Sequence, residues 1–139
     1  PQPFVTSVLA KNADVKVVLD LTEEWEKVSG EDKPLAMGVT IVNAAFLNEN
    51  KAAVDTFIEE MDASVKFTND NPEEAADLIE KYEIMAAGVA KAAIPACNIV
   101  SIKGEEMKKA VEGFLEVMFN SNPQSIGGQI PDENFYYLQ

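Results

Sequence analysis

The chain has 139 residues, 47% of them hydrophobic, and its 24 acidic residues outnumber 11 basic ones, giving a formal net charge of −13. Every basic residue is a lysine, because the sequence contains neither arginine nor histidine. A nucleic-acid-binding protein needs a basic surface to neutralise phosphates, and anionic membranes attract basic segments, so both are disfavoured as partners.

The length is sufficient for one domain with its own hydrophobic core. No apolar run approaches the roughly 18 residues that cross a membrane, so the sequence predicts a soluble chain. It starts with Pro1-Gln2-Pro3-Phe4, without the basic and apolar regions of a secretory signal. We therefore expect the sequence to be part of a longer protein.

Three segments have the pattern of β-strands. Residues 15–21 place Val15, Val17, Leu19 and Leu21 on one face, which is the alternation expected of a half-buried strand. Residues 37–42 are apolar on both faces, as in a buried central strand. Residues 98–102 suggest a third, shorter strand.

Helical periodicity and start signals predict about five helices. Thr22 is a candidate N-cap for the first, and Asn71 with Pro72 for the third, since Pro suits the first helical position. Gly30 and Pro95 are expected to end two of them. The predicted helices cover residues 22–29, 51–68, 72–82, 87–93 and 105–119.

This order predicts an α/β fold with a few-stranded sheet flanked by about five helices. Sheets usually contain about four to six strands, so two or three make an incomplete one. We expect the missing strands to come from chain outside this sequence.

Several kinds of catalytic chemistry are absent. Without histidine the chain cannot form a Ser-His-Asp or Cys-His arrangement, and Cys97 alone cannot build a zinc site. The sequence also lacks a glycine-rich phosphate loop. Its carboxylates lie at helix starts or on outward faces, where they complement the helix dipole. The sequence therefore predicts a protein that is not an enzyme and uses no metal or cofactor.

An ordered set of segments resembles one family along almost the whole chain. Together they are similar to the second half of ABC-importer solute-binding proteins of the nitrate/sulfonate/taurine and thiamine-pyrimidine-precursor group, which have the type II periplasmic-binding-protein fold. The segments are residues 1–6 (PQPFVT), 15–25, 34–39 (PLAMGV), 71–76 (NPEEAA), 94–100 (IPACNIV), 122–128 (NPQSIGG) and 131–137 (PDENFYY).

The resemblance implies two α/β lobes that close on a small solute. Residues 1–6 would be the hinge segment that crosses between the lobes, and residues 7–139 the C-terminal part of the first lobe. The intact protein would be extracytoplasmic, periplasmic or lipid-anchored at the cell surface, and would deliver its solute to the permease subunits. The missing N-terminal part or a second copy would complete the sheet.

Four residues are candidates for contact with the solute. Gln2 offers a donor and an acceptor, and Phe4 could stack on a planar ligand. Met37 precedes a buried strand, and Gly38 allows a close backbone approach. Pro1 and Pro3 would restrict the hinge.

Two other functions remain open. One is an enzyme of the related pyrimidine-precursor-synthesis group, which shares the two-lobed fold. The other is a stand-alone acidic α/β interaction domain.

Overall fold

A computed structural model describes residues 1–30 and 33–138, and the regular structure within them is entirely helical. Seven α-helices account for most of it. They are α1 (Phe4–Lys11), α2 (Leu21–Ser29), α3 (Ala44–Glu49), α4 (Lys51–Asp70), α5 (Pro72–Lys81), α6 (Ala87–Ala93) and α7 (Gly104–Ser121), and 3₁₀ turns span Ile94–Ala96, Pro123–Ile126 and Glu133–Phe135.

The predicted α/β fold with a few-stranded sheet is wrong for this structure. No β-strand forms among residues 1–30 and 33–138, and the three predicted strands are irregular apart from Leu21, which begins α2. The physical reason is that a strand pattern specifies only an extended preference, whereas a sheet also requires a neighbouring strand to pair the backbone groups. Val18 and Ile41 accordingly stay more than four-fifths exposed.

Local start signals predicted the helices better than the strands. The helices predicted at 51–68, 72–82, 87–93 and 105–119 correspond to α4, α5, α6 and α7. The N-cap of α2 is Asp20 rather than Thr22, because the Asp20 carboxylate accepts hydrogen bonds from the backbone N–H of Thr22 and Glu23 at 2.8 and 3.3 Å. Gly30 ends α2, as predicted, with a φ of 92° that favours glycine.

The first of two compact units comprises Pro1–Val17 and Ala45–Ser101. Its core lies where α5 packs against α6, and consists of small side chains with one larger residue: Ala75, Ala76, Ala90 and Ile94. Small residues allow two helices to approach closely, although they remove little apolar area from water. Two polar contacts join the same helices: Lys91 pairs with Glu73, and Glu80 accepts a hydrogen bond from the first backbone N–H of α6 at 3.1 Å.

The second unit comprises Val18–Ala44 and Ile102–Gln139. Within it, α2 contacts α7 through Trp25 and Phe114, whose ring centroids lie 5.4 Å apart. The indole N–H of Trp25 donates to the backbone carbonyl of Lys33 at 2.7 Å. The Ser29 hydroxyl lies between two acceptors, the carbonyls of Trp25 and Lys33, at 2.9 and 3.2 Å. These contacts hold Trp25 and the backbone of Lys33 close to α7.

The Lys33 side chain crosses α7 at Gly113. A Cβ at position 113 would lie 2.9 Å from Cγ and 3.1 Å from Cβ of Lys33. Glycine is therefore required here by the close approach of a side chain, in the middle of a helix that otherwise disfavours it.

The end of the chain packs through Tyr136, which is 8% exposed. Phe135 meets the Tyr136 ring edge-on, with centroids 5.2 Å apart. The Tyr136 hydroxyl is buried and has no hydrogen-bond partner among the described residues. Burial raises the pKa of this phenol above its ordinary value, because the charged form would lose its hydration.

No helix within residues 1–30 and 33–138 is long and apolar enough to span a membrane.

Replacing two helical glycines with alanine is expected to change stability in opposite directions. Gly88→Ala should raise the free energy of unfolding by about 0.5–1 kcal/mol, because its Cβ meets nothing within 4 Å and alanine favours helix. Gly113→Ala should lower it by about 1–3 kcal/mol, because the methyl group displaces the Lys33 stem. Urea unfolding followed by circular dichroism measures both; a stabilised Gly113→Ala variant would contradict the crossing of α7 by Lys33.

Tyr136→Phe is expected to raise the free energy of unfolding by about 1 kcal/mol at pH 7, since it removes a buried hydroxyl that lacks a protein partner. The raised pKa adds a second effect. As the pH rises past about 10, Tyr136 ionises in the unfolded chain before it ionises in the folded one. The free energy of unfolding of the wild type therefore decreases until the pH reaches the folded-state pKa of Tyr136. Tyr136→Phe should not show this contribution to the decrease.

The matched control is Tyr82→Phe, at a residue that is 69% exposed. This change should leave stability at pH 7 unaltered. Denaturant unfolding between pH 7 and 11 measures all three proteins, and a clear destabilisation by Tyr136→Phe would show that the hydroxyl has a partner in the folded protein.

Candidate functional site

The sequence-predicted residues Gln2 and Phe4 lie at the start of α1 in the first unit. The side-chain oxygen of Gln2 accepts hydrogen bonds from the backbone N–H and the hydroxyl of Thr6, at 3.2 and 2.8 Å. This oxygen therefore serves the helix start, where backbone donors lack partners. Phe4 does not enter a core: it is 69% exposed.

The other predicted site residues, Met37 and Gly38, lie in the irregular segment between α2 and α3 in the second unit. Met37 is 66% exposed, and a Cβ at Gly38 would meet no atom within 4 Å. Met37 is therefore not part of a hydrophobic core in this structure. Gln2 and Phe4 belong to the first unit, and Met37 and Gly38 belong to the second.

A pocket of about 330 Å³ lies along α7 in the second unit. Four of its residues are spaced three or four apart on α7, so they share one helix face. The pocket is lined by Lys33, Lys109, Glu112, Gly113, Glu116 and Ile130.

The Lys33 ammonium forms the central ion pair of this pocket. Its Nζ lies 2.7 Å from a carboxylate oxygen of Glu116, and the Lys33 side chain is one-third exposed. The pair forms because Gly113 lets the Lys33 stem lie flat on α7, three residues before Glu116. The position of this cation is therefore set by packing as well as by charge.

A second cluster of charges lies beside the pocket. Lys108 contacts Glu133 at 2.5 Å and Glu112 at 3.9 Å, and its ammonium lies 5.9 Å from the centroid of the Tyr136 ring. The hydrogen bond with Glu133 raises the pKa of Lys108, because it stabilises the charged ammonium. Glu112 belongs to both groups, since it lines the pocket and faces Lys108.

The pocket offers two ammonium groups, two carboxylates and one aliphatic wall. Such a lining can orient a small polar molecule, with the apolar part of that molecule against Ile130. Lysine and glutamate can also act as general acid and base when a reacting atom lies within hydrogen-bond distance. The arrangement is thus compatible with binding and with proton transfer.

Sequence reasoning missed every residue of this pocket. The sequence pattern assigns the carboxylates of α7 to its start or to an outward face. The available signal was Gly113, because an isolated glycine inside a strong helical pattern commonly marks a close contact. Its partner, Lys33, is 80 residues away in the sequence, and no local pattern identifies it.

Comparison with known proteins gives one match. Residues 7–120 match the model of a protein family described as menaquinone biosynthesis, which covers more than four-fifths of the chain and all pocket residues except Ile130. No curated protein and no solved structure matches the sequence significantly.

This match overturns the resemblance to ABC solute-binding proteins and the predictions that depended on it. The family works in biosynthesis, so the prediction that the protein is not an enzyme is wrong, as is the prediction of a transport function. The permease partners, the lipid anchor and the extracytoplasmic location lose their basis for the same reason. The enzyme alternative was nearer, although its pyrimidine pathway is not the one matched.

Most of the chain, including α7 up to residue 120 and the Lys33 segment that crosses it, thus follows one family pattern. The chain belongs to the menaquinone-biosynthesis family.

Proposed function

We propose that this protein catalyses a step of menaquinone biosynthesis, acting on a small organic precursor bound in the α7 pocket. The observation that carries the proposal is the family match over residues 7–120. Five of the six pocket residues lie within that range, so the pocket is built largely from the part of the chain that the family shares.

Proton transfer in this pocket would depend on lysine and glutamate. The chain contains no histidine, so these side chains are the available acids and bases nearest to a bound molecule. Lys33 can donate a proton from its ammonium, and Glu116, 2.7 Å away, can accept one. Lys109 and Glu112 supply a second set of groups one helical turn earlier.

We also propose ligand contacts for Gln2 and Phe4 within the first unit and, separately, for Met37 and Gly38 within the second. The exposure of Phe4 and Met37 supports this, because neither side chain is occupied by core packing. Residues 1–6, with Pro1 and Pro3, remain a proposed hinge, and residues 7–139 the proposed C-terminal part of one lobe.

The function is tested by deleting the gene in its native host and measuring menaquinone in lipid extracts by mass spectrometry. We expect menaquinone to disappear and the wild-type gene to restore it. Glu116→Gln should restore it poorly, with turnover reduced by roughly 10²-fold, because the general base and its ion pair with Lys33 are lost.

Glu60→Gln is the matched control, since Glu60 is an exposed glutamate on α4 in the other unit. It should restore menaquinone fully. If the deletion leaves menaquinone unchanged, the proposed pathway is wrong; if Glu116→Gln folds and restores menaquinone like wild type, the pocket is not the site.

A further inference from the structure

One wall of the pocket comes from the end of the chain, outside the region matched by the family. Ile130 lines the pocket, and the residues that follow it run to the buried ring of Tyr136. We call residues 130–136 the C-terminal strap. Asp132 caps its 3₁₀ turn by accepting a hydrogen bond from the backbone N–H of Asn134 at 2.9 Å.

Lys108 is the point where α7 holds the strap. Only 14% of its side chain is exposed, although a lysine on a helix surface is ordinarily well hydrated. Its ammonium pairs with Glu133 of the strap at 2.5 Å, and the Tyr136 ring lies 5.9 Å from it, at the outer limit of a cation–π contact. The same ammonium is 3.9 Å from Glu112, which lines the pocket.

We propose that Lys108 is a positioning residue for the pocket. Its ammonium attracts the Glu112 carboxylate across 3.9 Å, and through Glu133 it holds the C-terminal strap so that Ile130 closes one wall. The assignment of a role in turnover rests on the proposed function; the positioning of Glu112 and Ile130 does not.

The connection between Glu133 and Ile130 is short and stiff. Two residues lie between them, so three Cα–Cα steps limit the span of their Cα atoms to about 10 Å. Pro131 lies between them and fixes one backbone dihedral angle. A displacement of Glu133 is therefore passed to Ile130 instead of being absorbed by a flexible loop.

The connection to Glu112 depends on competition between two carboxylates. Lys108 has three N–H donors, and the closer acceptor, Glu133, determines where the ammonium lies. Without the Glu133 charge the ammonium would be attracted more strongly to its other acidic neighbours, of which Glu112 lies 3.9 Å away and Glu105 also acts on it. Glu133 of the strap therefore influences the electrostatic surroundings of Glu112 through Lys108 and not by direct contact.

Three variants test this. Glu133→Gln removes the strap charge at a side chain that is 77% exposed, Lys108→Met removes the ammonium but keeps the stem, and Lys108→Arg restores the charge. Lys66→Met is the matched control, because Lys66 forms a comparable pair with Asp70 at 2.7 Å on α4, in the other unit.

The measurements are hydrogen exchange of the strap amides and the ¹³C NMR signal of the Glu112 side-chain carboxyl group. Glu133→Gln and Lys108→Met should make the strap amides exchange roughly fivefold faster, because a charge-assisted contact is lost. Both should shift the Glu112 signal and lower the menaquinone restored in the deletion strain. Lys108→Arg should recover all three readouts, and Lys66→Met should change none.

If the contact between Lys108 and Glu133 only stabilises the strap, the two variants would exchange their strap amides faster but leave the Glu112 signal unchanged. That result would overturn the proposal. Unchanged strap exchange in Glu133→Gln would overturn it too, and this variant keeps the test valid if Lys108→Met does not fold. If the wild-type gene fails to restore menaquinone, the proposed function fails by itself, while exchange and NMR still decide whether Lys108 positions Glu112 and the strap.

Discussion

The second unit depends on the absence of a side chain at residue 113. Because Gly113 has no Cβ, the Lys33 stem lies directly on α7, closer than a contact with any other residue type would permit. This brings the Lys33 ammonium to Glu116 and leaves a pocket bordered by Lys109, Glu112 and Ile130. A side chain at this position would push Lys33 away and remove the pocket's central ion pair along with one of its walls.

Lys33 is also held through its backbone, by residues of α2. The Trp25 indole donates to the Lys33 carbonyl, the Ser29 hydroxyl lies 3.2 Å from the same oxygen, and Trp25 is itself packed against Phe114 of α7. The backbone of Lys33 is thus fixed by hydrogen bonds and its stem by the helix surface. A lysine restrained at both ends loses less conformational freedom when its ammonium orients a ligand.

The sequence predicted the features that depend on residues close together in the chain, such as helices. It failed for features that depend on distant residues, such as a sheet or the pocket. Helices α4 to α7 could be located because proline, glycine and the apolar period act within a few residues. Strands could not, because Val18 and Ile41 acquire a sheet only if a neighbour pairs with them. The family was mistaken for a related reason: segments such as 71–76 encode helix starts, and many unrelated folds use the same start signals. The pocket escaped detection because Lys33 and Gly113 meet only in the folded chain.

The net charge of −13 says little about the ligand, because salt screens interactions between exposed charges over about 8–10 Å. Within that range the pocket is balanced, with Lys33 and Lys109 against Glu112 and Glu116, while the whole chain has more than twice as many acidic as basic residues. Lys108 adds a third ammonium beside this group, and its nearest carboxylate belongs to the strap. The surroundings of a bound molecule are therefore far less acidic than the protein as a whole. Glu133 supplies one of the negative charges in these surroundings and Ile130 one of the walls, so the end of the chain contributes to both the electrostatics and the shape of the pocket.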